Sequence, residues 1–160
     1  MKKITLIRHA KSSWDLPLDD FHRPLLPIGV ERAKTVANYF KTKIDRTSFI
    51  VSSPAMRSSK TAEIFLFIWD IPLKNCNFID GIYTFSLAQL EEIVKSFSNN
   101  QNSVILFGHN SAITDFVNKF GDSKIANVPT AGLVEIIFDT NDWKTIKQGK
   151  TSAIIFPKEL

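Results

Sequence analysis

Four residues with cationic or nucleophilic side chains stand where a predicted strand has just ended or a predicted helix has just begun: Arg8, His9, Arg57 and His109. Phosphoryl transfer spreads negative charge over several oxygens, so a site for it requires fixed cations. The planar guanidinium of arginine holds phosphate oxygens in pairs, and a histidine can attack phosphorus through a ring nitrogen to form a covalent intermediate. The residue types therefore predict a phosphate site that uses no metal and no cofactor, since the sequence shows no acidic cluster to hold a metal.

The order of the elements explains why these side chains should meet. Three β-rich runs, at 4–7, 49–51 and 103–107, are followed by segments whose apolar residues recur at helical spacing. Alternating strands and helices predict a parallel sheet covered on both faces. Ligands of such sheets bind beyond the carboxyl ends of the strands. We therefore expect the four residues to converge on one rim.

Helices are predicted over 29–40, 54–68 and 111–120, with another beginning at Ser86. Ser53 and Pro54 look like an N-cap followed by proline at the first helical position. Ser86 and Gln89 have the spacing of a capping box. Gly121 is placed to end the last helix in a left-handed cap.

The C-terminal part has a different pattern, with short runs at 133–138, 143–147 and 152–156 separated by turn residues. Such a meander predicts antiparallel strands at one edge. The predicted fold class is α/β: a three-layer sandwich with a mostly parallel central sheet, helices on both faces and antiparallel edge strands from the C-terminal part.

Composition excludes several classes of protein. Of 160 residues, 20 are Lys or Arg and 16 Asp or Glu, giving a net charge of +4 with 44% hydrophobic residues. One domain over 1–160 is the expectation for this length. Basic residues are scattered, so we expect no nucleic-acid partner.

The apolar runs are too short for a membrane-spanning helix, and the run that ends at Arg8 is too short for a signal-peptide core. A single cysteine, Cys76, permits no internal disulfide and fits a reducing compartment. We therefore expect a cytoplasmic protein with no membrane partner. The sequence does not indicate its oligomeric state.

Each of these motifs alone is compatible with an ordinary surface role, but together they carry a resemblance. In chain order they are Arg8-His9-Ala10-Lys11-Ser12-Ser13-Trp14; Arg23-Pro24-Leu25 before Gly29 and Ala33; Ser53-Pro54-Ala55-Met56-Arg57 before Thr61-Ala62-Glu63; Gly108-His109-Asn110; and Pro129-Thr130-Ala131-Gly132. This series resembles the histidine phosphatase superfamily, also called phosphoglycerate-mutase-like, and within it the small SixA-type phosphohistidine phosphatase branch. Ala10 departs from the Gly of the superfamily's Arg-His-Gly triplet.

The resemblance implies that His9 is the nucleophile that becomes transiently phosphorylated. It implies that Arg8, Arg57 and His109 complete the phosphate pocket, with His109 cationic. The implied fold is a single histidine-phosphatase-like domain that covers residues 1–160.

Three further residues are candidates for substrate binding. Ser12 and Asn110 lie next to the core motifs and offer hydrogen bonds. Arg23 could border the entrance of the pocket or equally brace the loop before the first helix.

The general acid that protonates the leaving group is the least defined part of the site. Larger relatives place a Glu in a mid-chain insertion, whereas the short stretch at 78–83 offers Asp80. An alkoxide leaves poorly without a proton, but imidazole leaves a phosphohistidine readily. Asp80 could equally cap its loop. Asp15, Asp19 and Asp20 are rival carboxylates that we expect to be solvated.

We therefore predict a metal-independent phosphatase that acts through a phosphohistidine at His9, with phosphohistidine in a partner protein as the expected substrate. The short connection at 75–86 predicts a shallow, open pocket that suits such a substrate. Two alternatives stay open. One is a small-molecule phosphomonoesterase of the same superfamily, and the other is a non-catalytic phosphoprotein-binding module, which would have no need of a nucleophile.

Overall fold

One mixed β-sheet organises the chain, for which a computed structural model describes residues 1–15 and 17–160. Its six strands are β1 (Lys2–Arg8), β2 (Phe49–Ser52), β3 (Cys76–Phe78), β4 (Ser103–Gly108), β5 (Leu133–Phe138) and β6 (Lys150–Ile155). Their order across the sheet is β3-β2-β4-β1-β5-β6. The first four in this order are mutually parallel, and β5 and β6 add antiparallel pairs at one edge.

Helices cover both faces of the sheet. They are α1 (Pro27–Phe40), α2 (Met56–Ile68), α3 (Leu87–Lys95) and α4 (Ala112–Phe120), with short 3-10 helices between the main elements. The apolar residues of α1 and α2 form one buried core, and those of α3 and α4 form the other. The predicted α/β sandwich is therefore confirmed, including the antiparallel strands contributed by the C-terminal part.

Strand register places the ends of β1 and β4 side by side. Arg8 lies opposite Gly108 in the parallel pair, and Ser52 of β2 lies opposite Phe107 of β4. The backbone N–H of His9 donates to the Gly108 carbonyl over 3.0 Å, so the ladder continues one residue beyond β1. Parallel pairing thus brings the segments that follow three strands to one rim.

Several predicted element ends differ from the observed ones. The first helix begins at Pro27, two residues before the predicted start, because the proline fixes a helical φ at its first position. The prediction of Ser53 as the cap of α2 is wrong, because its hydroxyl accepts the Ala55 N–H in a turn and α2 begins only at Met56. Ser86 does cap α3, accepting from Gln89 N–H.

Two predictions in the C-terminal half are also wrong. Gly121 ends α4 at a φ of −91°, so it is not a left-handed cap; a side chain there would overlap the Thr151 hydroxyl. The run at 143–147 is not a strand, because Trp143 begins a 3-10 helix. The buried indole of Trp143 donates to the Gln101 carbonyl. The short strand β3, by contrast, was not predicted.

None of the helices within 1–15 and 17–160 combines the length and the apolar character that crossing a bilayer requires.

Candidate active site

A cavity of about 460 Å³ opens at the carboxyl ends of the parallel strands, and Arg8, His9 and Arg57 lie on its wall. Six of the side chains that line it are Arg or Lys, and none of the described ones is Asp or Glu. A larger groove of about 600 Å³ runs between α1 and α2, but its lining offers no histidine or arginine. Phosphate chemistry therefore belongs to the smaller cavity.

His9 is held in an orientation that suits a nucleophile. Its Nδ1 lies 2.8 Å from the Ala10 carbonyl oxygen, and only a protonated Nδ1 can donate to that acceptor, so the lone pair is on Nε2. Burial is the largest cause that lowers the pKa of His9 to about 3; the charges of Arg57 and Arg8 act in the same direction, and the Ala10 bond opposes them. The ring is therefore neutral near pH 7.

His109 lies beside His9, with the two ring centroids 5.3 Å apart. Its Nε2 is 2.7 Å from the Ser53 hydroxyl, whereas its buried Nδ1 has no hydrogen-bond partner among the described residues. Burial, followed by the influence of His9 and Arg57, lowers the pKa of His109 to about 3. Burial thus favours the neutral ring in the protein by itself, and the cationic His109 stays a prediction.

Of the two arginines of the predicted pocket, Arg57 is buried and Arg8 is half-buried, and both are only partly bonded. Arg8 donates from Nη1 to the Val128 carbonyl over 2.9 Å, and Arg57 donates from Nη1 and Nη2 to the backbone and side chain of Asp20 over 2.6 and 2.9 Å. The Nε atoms of both arginines have no partner.

These two Nε atoms and Nδ1 of His109 are the three buried side-chain polar atoms without partners in the described part of the chain. Buried polar groups are ordinarily bonded because leaving them unpaired is costly. All three belong to residues predicted to hold the phosphate: Arg8 and Arg57 line the cavity, whereas His109 is not among its lining residues and lies beside His9.

Asp20, which the sequence predicts only as a solvated rival carboxylate, contacts this site. It begins the 3-10 helix Asp20–His22, and its carboxylate accepts from Arg57, from Arg23 and from the Tyr83 hydroxyl. Burial alone would raise the pKa of Asp20, but the hydrogen bonds from Tyr83, Arg57 and Arg23 outweigh it and lower the pKa to about 2. The prediction that Asp20 is merely solvated is therefore wrong, whereas Asp15 and Asp19 are exposed.

Arg23 and Ser12 line the cavity but are bonded to each other. Arg23 donates to the Ser13 carbonyl over 3.0 Å, to the Asp20 carboxylate and to the Ser12 hydroxyl, while its guanidinium stacks 3.2 Å from the Trp14 ring centroid. Of the two roles open to Arg23, these contacts favour bracing the loop.

Asn110 also lines the cavity with its polar atoms engaged elsewhere. Its amide nitrogen donates to Asn127 Oδ1 over 2.8 Å, and its oxygen accepts from the backbone and hydroxyl of Thr114. Asn110 therefore anchors the segment around Asn127 to the start of α4.

The structure does not bring Asp80 into the cavity. Asp80 is exposed at the start of the 3-10 helix Asp80–Ile82 and is not among the lining residues. Tyr83, three residues later, does reach the site through Asp20 and through its ring, 5.3 Å from that of His109. The acid role of Asp80 stays a prediction.

Thr61 is a second residue whose position sequence reasoning left without a role. Its buried hydroxyl accepts the Ala10 N–H over 2.8 Å and donates to the Arg57 carbonyl over 2.7 Å. It thereby ties the segment that carries His9 to the first turn of α2. The signal available in the sequence was the spacing of four between Arg57 and Thr61, one helical turn apart.

Comparison with known proteins agrees with this geometry. The sequence model of the histidine phosphatase superfamily (branch 1) matches residues 4–79. An uncharacterised chloroplastic protein of Arabidopsis thaliana is 31% identical over 118 residues, which are 68% of this chain and 54% of that protein. The chain thus spans about half the length of this curated relative.

Two solved structures share the fold. The protein histidine phosphatase SixA, complexed with tungstate, superposes with a TM-score of 0.80 at 17% identity, covering 98% of both chains. SixA from Agrobacterium tumefaciens gives 0.78 at 21% identity, covering 96% of this chain and 97% of that one. Over residues 4–79 the chain therefore matches the histidine phosphatase superfamily, and over nearly its whole length it shares the fold of SixA.

Proposed function

We propose that the protein is a phosphatase in which His9 carries the phosphoryl group between substrate and water. One observation supports this most directly: a neutral, buried His9 shares its site with three unpartnered polar atoms, on Arg8, Arg57 and His109. A nucleophile beside unpaired donors matches a phosphoryl group in transfer, where charge accumulates on the non-bridging oxygens.

The reaction divides into two displacements. In the first, the lone pair on Nε2 of His9 attacks phosphorus, the bond between phosphorus and the leaving group breaks, and the departing imidazole takes a proton from solvent. In the second, water attacks the phosphohistidine, the P–Nε2 bond breaks and returns its electron pair to Nε2, a proton passes from the water to solvent, and orthophosphate is released. Arg8 and Arg57 hold the oxygens in both steps, and a phosphate dianion would favour protonation of His109 beside it.

Phosphohistidine in a partner protein is the substrate class that this site suits. No described carboxyl group lines the cavity, so a good leaving group matters, and imidazole is one. The cavity is open, which permits access by a side chain on a protein surface. SixA, whose fold the chain shares, is itself a protein histidine phosphatase.

The first test traps the intermediate. Incubation with a carrier protein bearing a labelled phosphohistidine should leave label on wild-type enzyme in an acid-labile form. His9→Ala should abolish labelling and lower turnover by at least about a thousandfold, since it removes the nucleophile, while circular dichroism stays native. His22→Ala is the matched control, because His22 is exposed and outside the cavity. Labelling that persists in His9→Ala would refute the proposal.

The second test compares leaving groups. We expect kcat/KM to be highest for a phosphohistidine peptide, lower for an aryl phosphate and at least about a hundredfold lower for an alkyl phosphate, because general acid catalysis contributes factors of this size. Asp80→Asn tests the predicted acid role of Asp80, and unchanged ratios would remove that role. A selective loss on the alkyl ester would instead establish Asp80 as the acid, and an alkyl ester hydrolysed best would favour the small-molecule phosphomonoesterase.

A further inference from the structure

Three cations on the cavity wall have no role in holding the phosphoryl group. Lys11 follows β1, Arg32 lies on α1, and Lys158 lies in the 3-10 helix Pro157–Glu159, which packs against α1. Their side chains make no ion pair or hydrogen bond with any described residue. They reach one cavity from three separate parts of the chain.

Elsewhere on the helices, lysines are paired with carboxylates. Lys34 lies 3.6 Å from Glu31, Lys60 lies 3.3 Å from Glu63, and Lys95 lies 3.0 Å from Glu91. On the cavity wall, Arg23 and Arg57 are paired with Asp20, whereas Lys11, Arg32 and Lys158 have no carboxylate of a described residue within ion-pair distance. Like charges gathered without counter-charges repel one another and produce a local positive potential that attracts anions.

A single phosphoryl group does not account for this excess of charge. The buried Arg57 and the half-buried Arg8 already face it with unpaired Nε atoms, whereas Lys11 and Lys158 are exposed and Arg32 is half-buried. Lys11, Arg32 and Lys158 therefore suit a second anionic group that lies nearer the mouth of the cavity than the phosphoryl group does.

We propose that Lys11, Arg32 and Lys158 bind a second anionic group of the substrate, namely an acidic side chain that flanks the phosphohistidine of the partner protein. This proposal rests on the proposed phosphatase function and adds to it a preference for substrate proteins with acidic residues beside the phosphohistidine. A second phosphate of a small molecule would offer the same chemistry, so the experiment separates the two sources.

Two phosphohistidine peptides that differ only in flanking Glu or Gln residues provide the first measurement. Wild-type enzyme should prefer the Glu peptide by roughly tenfold in kcat/KM, the size expected of a few half-exposed ion pairs. Arg32→Gln with Lys158→Gln should bring this ratio close to one. The matched control, Arg46→Gln with Lys74→Gln, removes two exposed charges outside the cavity and should keep the ratio.

A small bisphosphate compared with its monophosphate forms the second arm of the same experiment. If the enzyme prefers the bisphosphate but does not prefer the Glu peptide, the proposal of a protein substrate is refuted. The three cations would then bind the second phosphate of a small molecule. Equal rates on both peptides in wild-type enzyme, or a peptide ratio that survives in Arg32→Gln/Lys158→Gln, would also overturn the proposal.

Direct binding separates this proposal from the phosphatase itself. Titration of His9→Ala, which cannot turn over, should show pyrophosphate binding several-fold more tightly than orthophosphate. Adding Arg32→Gln and Lys158→Gln should remove that difference. If wild-type enzyme hydrolyses no substrate but this difference is seen, the phosphatase fails while the anion site stands. If turnover is normal and the difference is absent, the anion site fails alone.

Discussion

His9 and His109 owe their chemistry to burial rather than to residue type. An exposed histidine titrates near neutral pH, whereas these two rings are enclosed by the rim of the sheet and neighbour two arginines. Burial comes first among the causes that lower the pKa of each to about 3. A neutral His9 has the lone pair that attack on phosphorus requires, without a separate base.

The same burial makes the stability of the protein depend on pH. Between about pH 6.5, where histidine titrates in the unfolded chain, and pH 3, the unfolded state binds more protons, so the free energy of unfolding falls as the pH falls. From pH 7 to pH 5, each of these histidines should contribute a loss of about 2 kcal/mol. Urea unfolding of His109→Gln should show a correspondingly smaller loss than wild type. Exposed His22→Gln serves as the control, and a loss in His109→Gln as large as in wild type would contradict this prediction.

At the scale of elements, the end of β1 is fixed from three directions. The Thr61 hydroxyl of α2 accepts the Ala10 N–H, the Gly108 carbonyl of β4 accepts the His9 N–H, and Ala131 N–H donates to the carbonyls of both Arg8 and His9. These contacts come from separate elements and leave the backbone around His9 little freedom. Positional accuracy of this kind is what covalent catalysis requires.

Gly29 marks a close approach between α1 and the segment after His9. A side chain at Gly29 would overlap the backbone of Lys11, and backbone cannot rotate away as a side chain can. Gly29→Ala would gain roughly 0.5–1 kcal/mol of helix propensity, but we expect the overlap to outweigh this and lower the free energy of unfolding by about 1–3 kcal/mol. Urea unfolding measures the change.

Thr35→Ala, at an exposed position on the same helix, is the matched control and should not destabilise the protein. Because Lys11 lines the cavity, Gly29→Ala should also raise KM. A variant as stable as wild type with unchanged KM would show that the two segments separate freely.

Element identity was more predictable than element ends. Helical periodicity identified α1 because its apolar residues form one buried face, whereas α2 was predicted from Ser53 and Pro54. The Ser53 hydroxyl does not cap α2 because it bonds to the Ala55 N–H and to His109. The strand predicted at 143–147 does not form because the Trp143 indole is buried and bonded to the Gln101 carbonyl. Such ends are decided by tertiary contacts that no local pattern contains.

At the scale of the whole molecule, parallel topology made the convergence of Arg8, His9, Arg57 and His109 predictable, because consecutive strand ends share a rim. The partners of these residues were not predictable, since Asp20 reaches Arg57 across 37 positions through a loop without periodicity. The spacing of Asp20 and Arg23 hinted only at a local pair. The assignment of 1–160 to one domain and the cytoplasmic location stay predictions.

The carboxylate of Asp20 on Arg57 has a consequence for the end of the catalytic cycle. The Asp20 carboxylate accepts a hydrogen bond from Nη2 of Arg57, and the Asp20 backbone carbonyl accepts one from Nη1. Orthophosphate formed by hydrolysis would share Arg57 with the negatively charged Asp20 carboxylate, and this repulsion would weaken its binding. For the phosphatase proposed above, this arrangement predicts fast release of orthophosphate and weak product inhibition.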